Sequence, residues 1–283
     1  MPSCSPGDLQ HFLDVATEAA LAGGAVLQRF WGRLNQIQEK GRPGDLVTEA
    51  DRAAEAAILQ LLQQQLSDHA ILAEESGQQG SRDAPFLWAV DPLDGTTNYA
   101  HQYPFCAVSL GLLIDGRPSV GVIFDPIRQE LYCAARGLGA TCNQQPIQVS
   151  ATAQLADSLL VTGFAYDRRE TLDNNYAEFC HFTHLTQGVR RGGSAAIDLA
   201  YVASGRLDGY WERGLSPWDL AAGVVLVEEA GGQVTAYDES PFDLCSGRIL
   251  ASNGRLHRAM SQVLGQVKPL PQFDPETGAW REP

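Results

Sequence analysis

The chain has 283 residues, 44% hydrophobic and 19% charged, a composition that belongs to folded globular proteins and excludes fibrous and disordered classes. A formal net charge of -14 excludes nucleic-acid binding through a basic surface. Apolar runs such as residues 221–227 are too short to cross a bilayer, so no membrane partner is expected.

Residues 1–7 lack both a basic and an apolar region of the kind that directs secretion, and a cytoplasmic chain is expected. Helical spacing of Leu9, Phe12, Leu13, Ala16, Ala19, Ala20, Val26, Leu27 and Phe30 predicts a long amphipathic helix over 8–31, with Gly23 and Gly24 marking close packing. A Gly- and Pro-containing loop over 40–47 precedes a second helix over 48–66. Short apolar runs at 70–73 and 86–90 read as buried strands that end in carboxylates. Strands at 106–114, 120–124 and 130–135 follow, the first two joined through the turn Asp115-Gly116, and suggest an antiparallel sheet.

From residue 150 the pattern alternates: strands at 159–162, 188–190 and 209–212, and helices at 173–182, 195–203 and 220–230. The expected organisation is an α+β half over 1–148, an α/β half over 149–267 and a loosely held tail over 268–283. Cys4, Cys106, Cys133, Cys142, Cys180 and Cys245 include no Cys-x-x-Cys pair, which argues against zinc and against a redox dithiol.

The chemistry centres on Asp91-Pro92-Leu93-Asp94-Gly95-Thr96-Thr97. Residues three apart on a strand point to opposite faces, so Asp91 and Asp94 converge only if Pro92 ends the strand. A helix starting near Gly95 would offer free N–H groups to a phosphate, with Asp94 beside it to hold a cation. Alternatively, Asp94 is a helix N-cap. Ala73-Glu74-Glu75-Ser76 and Trp218-Asp219 add carboxylates at a strand end and a helix start, where Glu74 or Glu75 could equally be a solvated charge and Asp219 a first-turn acid. Together they form a hard-oxygen donor set of the kind Mg²⁺ prefers. An aspartyl-phosphate mechanism needs Asp-x-Asp, and the spacing here is one residue too long. His181 and His184 read as helix-surface residues.

These segments, with Asp45-Leu46-Val47-Thr48-Glu49-Ala50-Asp51, Arg190 to Ala196 and Trp218-Asp219-Leu220-Ala221-Ala222-Gly223, resemble the inositol monophosphatase family of lithium-sensitive, magnesium-dependent phosphatases. The resemblance covers residues 8 to about 265 with the motifs in order. It implies a layered αβαβα sandwich of the inositol monophosphatase/fructose-1,6-bisphosphatase type. It places a first Mg²⁺ on Glu74, Asp91 and the Leu93 carbonyl, a second on Asp91, Asp94 and Asp219, and a weaker third near Glu74. Gly95 and Thr96 would offer N–H groups to phosphate, and the Thr96 hydroxyl with Asp51 would deprotonate the attacking water. Gly193, Ser194, Ala195 and Glu212 would contact the alcohol portion, although Glu212 could instead pair with Arg213 or Arg191. A homodimer and lithium inhibition are also implied. The implied substrate is a small phosphorylated polyol or sugar, myo-inositol 1-phosphate first. Histidinol phosphate, fructose 1,6-bisphosphate, a hexose 1-phosphate, a nucleotide 3′-phosphate and a non-catalytic metal-binding role are the alternatives.

Overall fold

The computed structural model describes residues 4–274 and 279–281. Its longer helices are α1 (Pro6–Phe30), α2 (Glu49–Gln65), α3 (Thr96–Ala100), α4 (Tyr176–Leu185), α5 (Ala195–Ala203), α6 (Pro217–Glu229) and α7 (His257–Gln266). Capping boxes start three of them: Ser5 with Asp8 on α1, Thr48 with Asp51 on α2, and Ser216 with Asp219 on α6. In each, a serine or threonine and an acid three residues later satisfy backbone N–H groups that the first helical turn leaves free.

An eight-stranded sheet has the spatial order Gln145–Pro146, Gly139–Cys142, Glu130–Ala135, Arg117–Asp125, Ala107–Ile114, Phe86–Asp94, Ala70–Ala73, Gly77–Gln79. All its pairs are antiparallel except Ala70–Ala73 against Phe86–Asp94. The expected turn at Asp115-Gly116 is present, with φ of 49° and 77°, the positive pair that a tight hairpin requires. A five-stranded sheet has the order Gly188–Arg190, Leu159–Thr162, Gly209–Arg213, Arg248–Ser252, Gln233–Thr235, and its first two pairs are parallel.

Helices α1 and α2 cover one face of the larger sheet through Ala16, Leu27, Ile58, Trp88, Val90 and Leu110. Gly23 and Gly24 provide the close packing expected of them, since a Cβ on Gly24 would lie 2.3 Å from the Phe124 ring. Helices α5 and α6 fill the space between the sheets. Phe182 of α4 and Met260 and Leu264 of α7 pack on Leu160, Trp211 and Leu250 at the outer face of the smaller sheet. The result is the αβαβα sandwich. One apolar cluster joins Ala89 and Ile123 of the first sheet to Leu199, Leu226, Tyr210 and Ile249, so the core is continuous across residue 148.

Several boundaries differ from expectation. The strand carrying Asp91 does not end at Pro92 but continues to Asp94. Residues 46–47 of the expected loop, with Thr48 from the expected start of the second helix, pair with Ile37–Glu39. Helix α4 starts three residues later than expected, behind Asn175, whose amide instead bonds Thr162 and Gly163. The strands Gln233–Thr235 and Arg248–Ser252 and helix α7 were not anticipated from sequence. Within the supposed tail, Gln272–Asp274 pairs with Ala279–Arg281, while residues 275–278 and 282–283 lie outside the described residues, as do residues 1–3 of the expected non-secretory start.

Helix α6 sits close to the larger sheet because Gly111 and Gly121 are cross-strand partners beneath it. A Cβ on Gly111 would lie 2.4 Å from Ala221 Cβ, and one on Gly121 would lie 2.4 Å from the Ala222 carbonyl oxygen. Gly121→Ala is therefore expected to destabilise the fold by about 1–3 kcal/mol through overpacking. Urea titration should show a lower midpoint at unchanged slope, and an unaltered midpoint would refute the close-approach account.

Candidate active site

The strand Phe86–Asp94 places Trp88 and Val90 toward α1 and α2, and Leu87 and Ala89 toward α5 and α6. Asp91 continues the second set. Asp91 then pairs with Ser109 and Asp94 with Ala107, so three steps on one strand match two on its neighbour. The extra residue is a bulge that returns Asp94 to the Asp91 side while Leu93 turns into the α1/α2 core. Convergence thus comes from a bulge inside the strand, and the Asp91 carboxylate holds it by accepting the Leu93 N–H at 2.9 Å.

Two more carboxylates arrive by register. Ala73 pairs with Val90, and the Glu74 N–H donates to the Val90 carbonyl at 3.0 Å, which brings Glu74 beside Asp91. Ser109, opposite Asp91, donates to the Trp218 carbonyl at 3.1 Å and so pins the first turn of α6. Carboxylate oxygens of Asp91, Asp94 and Asp219 lie within 4.8 Å of one another.

The sequence-level alternatives resolve into double roles. Asp219 is a first-turn acid, its carboxylate accepting the Ser216 N–H at 2.7 Å, and also a member of the cluster. Asp94 does not cap α3, whose N-cap is Gly95. It accepts the Ser194 hydroxyl and the Ala196 N–H, each at 2.7 Å, and so ties the start of α5 to the cluster. Gly95 has φ +89°, and a Cβ there would lie 2.9 Å from the Phe105 carbonyl oxygen and 3.2 Å from that of Gly193. Only glycine fits this bend.

The Thr96 hydroxyl lies 3.0 Å from Asp51 Oδ1 and 3.0 Å from the Leu93 carbonyl, while Asp51 Oδ2 accepts the Thr48 N–H at 2.8 Å. Glu212 is buried and accepts the Tyr210 hydroxyl at 2.7 Å. Arg213 is not its partner: its guanidinium bonds Asp167 at 2.7 Å. Arg191 is near enough for its charge to bear on Glu212 without forming an ion pair. Glu75 and Glu74 are not freely solvated, since Lys40 bridges both, with 2.7 Å to Glu74. Lys40 had no assigned role from sequence, although an ammonium beside a Gly-Arg-Pro-Gly loop is a legible signal. His181 and His184 are exposed on α4, as expected.

Lys40, Glu74, Asp91, Leu93, Asp94, Gly95, Thr96, Ser194, Glu212 and Asp219 border one cavity of about 610 Å³, together with Gly193, Ala195, Tyr166 and Arg191, and Asp51 stands outside it behind Thr96. Burial holds Asp91 well above the usual carboxylate range, and the charges of Glu74, Asp94 and Asp219 push it the same way. Burial likewise holds Asp219 well up, with Asp94, Glu74 and Glu212 adding to it. Asp94 is pushed up to about 6 by burial, against the opposing pull of its Ser194 and Ala196 hydrogen bonds. Asp51 is pushed up to about 6 by burial against its threonine partners, and Glu212 to about 7. A half-buried set of carboxylates that repel one another fits a hard divalent cation, and the group contains no imidazole or thiolate that would favour a softer metal.

The sequence model of the inositol monophosphatase family matches residues 8–268. The chain belongs to the inositol monophosphatase family. It is 67% identical over 263 residues to an inositol-1-monophosphatase of Synechocystis sp., spanning 93% of this chain and 92% of that protein. The solved inositol monophosphatase of Anabaena (Nostoc) sp. is 62% identical and superposes with a TM-score of 0.87 over 93% of this chain and 98% of the other. A protein named Nus factor SuhB from Pseudomonas aeruginosa is 42% identical over 257 residues, 89% of this chain and 95% of its own. Among the described residues, no helix is long and apolar enough to cross a membrane.

The raised carboxylates make a signed prediction for this inositol monophosphatase family member. Asp94, folded near 6 against an ordinary 3.8, binds more protons folded than unfolded between those values. Without metal, its stabilising contribution is present below about pH 4 and lost as pH rises through about 6. A cation requires the ionised form, so the gain in melting temperature from Mg²⁺ over EDTA should grow from pH 5 to 7.5. At a hundredfold excess over Kd the underlying stabilisation should reach about 3 kcal/mol. A gain that is flat or shrinks with pH would contradict the assignment.

Proposed function

We propose that the chain hydrolyses a small phosphate monoester, myo-inositol 1-phosphate foremost, to the free alcohol and phosphate. The observation that carries this reading is the convergence of Asp91, Asp94 and Asp219 within 4.8 Å, next to the Thr96–Asp51 hydrogen bond of 3.0 Å. The name of the Synechocystis relative supports the choice of ester.

In this reading, Glu74, Asp91, Asp94, Asp219 and the Leu93 carbonyl hold two or three Mg²⁺ ions. Bound there, the cations supply positive charge to the phosphate oxygens and acidify the attacking water. Asp51 then serves as proton acceptor through the Thr96 hydroxyl. Its buried carboxylate, near 6, is ionised at neutral pH yet basic enough to take a proton. Thr48 restrains one Asp51 oxygen and so directs the other toward Thr96. The Gly95 and Thr96 N–H groups bind the phosphate, and Gly193, Ser194 and Ala195 seat the alcohol. Glu212 receives a polyol hydroxyl on the oxygen that Tyr210 leaves free. A purely regulatory role would leave the Thr96–Asp51 pair without a purpose.

The same reading includes a homodimer, lithium inhibition and a cytoplasmic setting. The six unpaired cysteines are in keeping with a reducing compartment.

The test is steady-state hydrolysis of inositol 1-phosphate and an aryl phosphate with Mg²⁺, with EDTA and with added Li⁺. Turnover should require Mg²⁺ and fall with Li⁺, and activity surviving EDTA would refute the mechanism. Asp51→Asn should lower kcat about 10²–10⁴-fold with little change in KM. Equal losses in kcat and Mg²⁺ affinity would assign Asp51 to metal binding instead. Glu212→Gln should raise KM for inositol 1-phosphate more than for the aryl ester, and equal effects would count against contact with the polyol.

A further inference from the structure

Among the described residues, three cationic side chains border the catalytic cavity, and two of them are engaged. Lys40 bridges Glu74 and Glu75, and the Arg168 guanidinium donates to the Ala165 carbonyl at 3.1 Å. Arg191 is exposed, and its guanidinium makes no hydrogen bond or ion pair with a described residue. Its position is defined nonetheless: Nη1 lies 2.6 Å from where a Cβ on Gly193 would stand. The guanidinium therefore lies against Gly193, next to Ser194, whose hydroxyl, like the Ala196 N–H, bonds Asp94 of the carboxylate cluster.

The surrounding charge makes an unengaged guanidinium here informative. The Arg191 charge bears on two buried carboxyl groups, Glu212 and Asp198, and Asp198 Oδ1 has no hydrogen-bond partner among the described residues. A chain of net charge -14 repels anionic substrates at long range. Cations held by the carboxylate cluster would answer for one phosphate. A second anionic group on the alcohol side would meet Glu212 unless a local positive charge received it. The cavity of about 610 Å³ has room for about twenty waters, enough for more than a single cyclitol phosphate.

We propose that Arg191 is a specificity-determining residue that receives a second anionic group, a phosphate foremost, carried on the alcohol portion of the substrate away from the ester that is cleaved. This rests on the hydrolytic reading above. A guanidinium with its donors uncommitted can take a phosphate through two parallel hydrogen bonds, which an ammonium cannot reproduce.

The test compares fructose 1,6-bisphosphate with fructose 1-phosphate, which lacks the distal phosphate. Wild type should show kcat/KM about tenfold higher for the bisphosphate, the size expected of one charge-assisted contact. Arg191→Ala should abolish that ratio and Arg191→Lys should keep part of it, with the wild-type ratio shrinking as salt rises. A wild-type ratio near one, or a loss in Arg191→Ala that is proportionate for both esters, overturns the proposal, the second outcome leaving Arg191 only a loop-packing role.

Calorimetric binding of the two esters in Mg²⁺ to Asp51→Asn and to Asp51→Asn/Arg191→Ala gives an answer that does not depend on turnover. If wild type cleaves no ester, the hydrolytic reading fails. The calorimetric preference and its loss with Arg191 then decide the anion assignment by themselves.

Discussion

The site depends on holding several carboxylates close together against their mutual repulsion. Asp91, Asp94 and Asp219 come within 4.8 Å in a half-buried setting, an arrangement that costs free energy in the absence of positive charge. The fold supplies the constraint from three directions. A bulge keeps Asp91 and Asp94 on one side of their strand, parallel register brings Glu74 alongside, and the glycine pair Gly111 and Gly121 lets α6 approach closely enough to deliver Asp219. The apolar core on both faces of the sheet offsets the electrostatic cost, and cation binding would remove it.

Hydrogen bonds around the cluster fix orientation more than they add stability. Each acid has one oxygen committed to a hydrogen bond: Asp91 to the Leu93 N–H of its own strand, Asp94 to Ser194 and Ala196 at the start of α5, and Asp219 to the Ser216 N–H that caps its own helix. The opposite oxygens are thereby aimed inward. Glu212 and Asp51 follow the same pattern, with Tyr210 and Thr48 occupying one side of each carboxylate. A donor set prepared in this way loses less orientational freedom when it binds.

Much of this was legible in the sequence because it is encoded locally. The periodicity of α1 and α2, the Asp115-Gly116 turn and the helix over 195–203 depend on residues within a few positions of one another. The candidate site residues could be named from motifs, and all of them except Asp51, which stands behind Thr96, border one cavity. What could not be read was long-range. The bulge after Asp91 is defined by pairing with Ser109 and Ala107, so sequence spacing suggested a strand end at Pro92 instead. The bond from Asp94 to the start of α5 spans about a hundred residues and has no local signature. Strands Gln233–Thr235 and Arg248–Ser252 each carry too short an apolar run to declare themselves without their partners.

Two of the chemical groups belong to first turns of helices, Asp51 on α2 and Asp219 on α6, each closing a capping box. Helix ends are the places where a folded chain opens most cheaply, well below the free energy of global unfolding. Fraying of α6 would rotate Asp219 out of the cavity, and fraying of α2 would part Asp51 from Thr96, while both sheets stayed intact. Warming should therefore silence such a molecule before it melts, and the molecule should recover on cooling, because the lost order is one helical turn and the sandwich beneath it is still assembled.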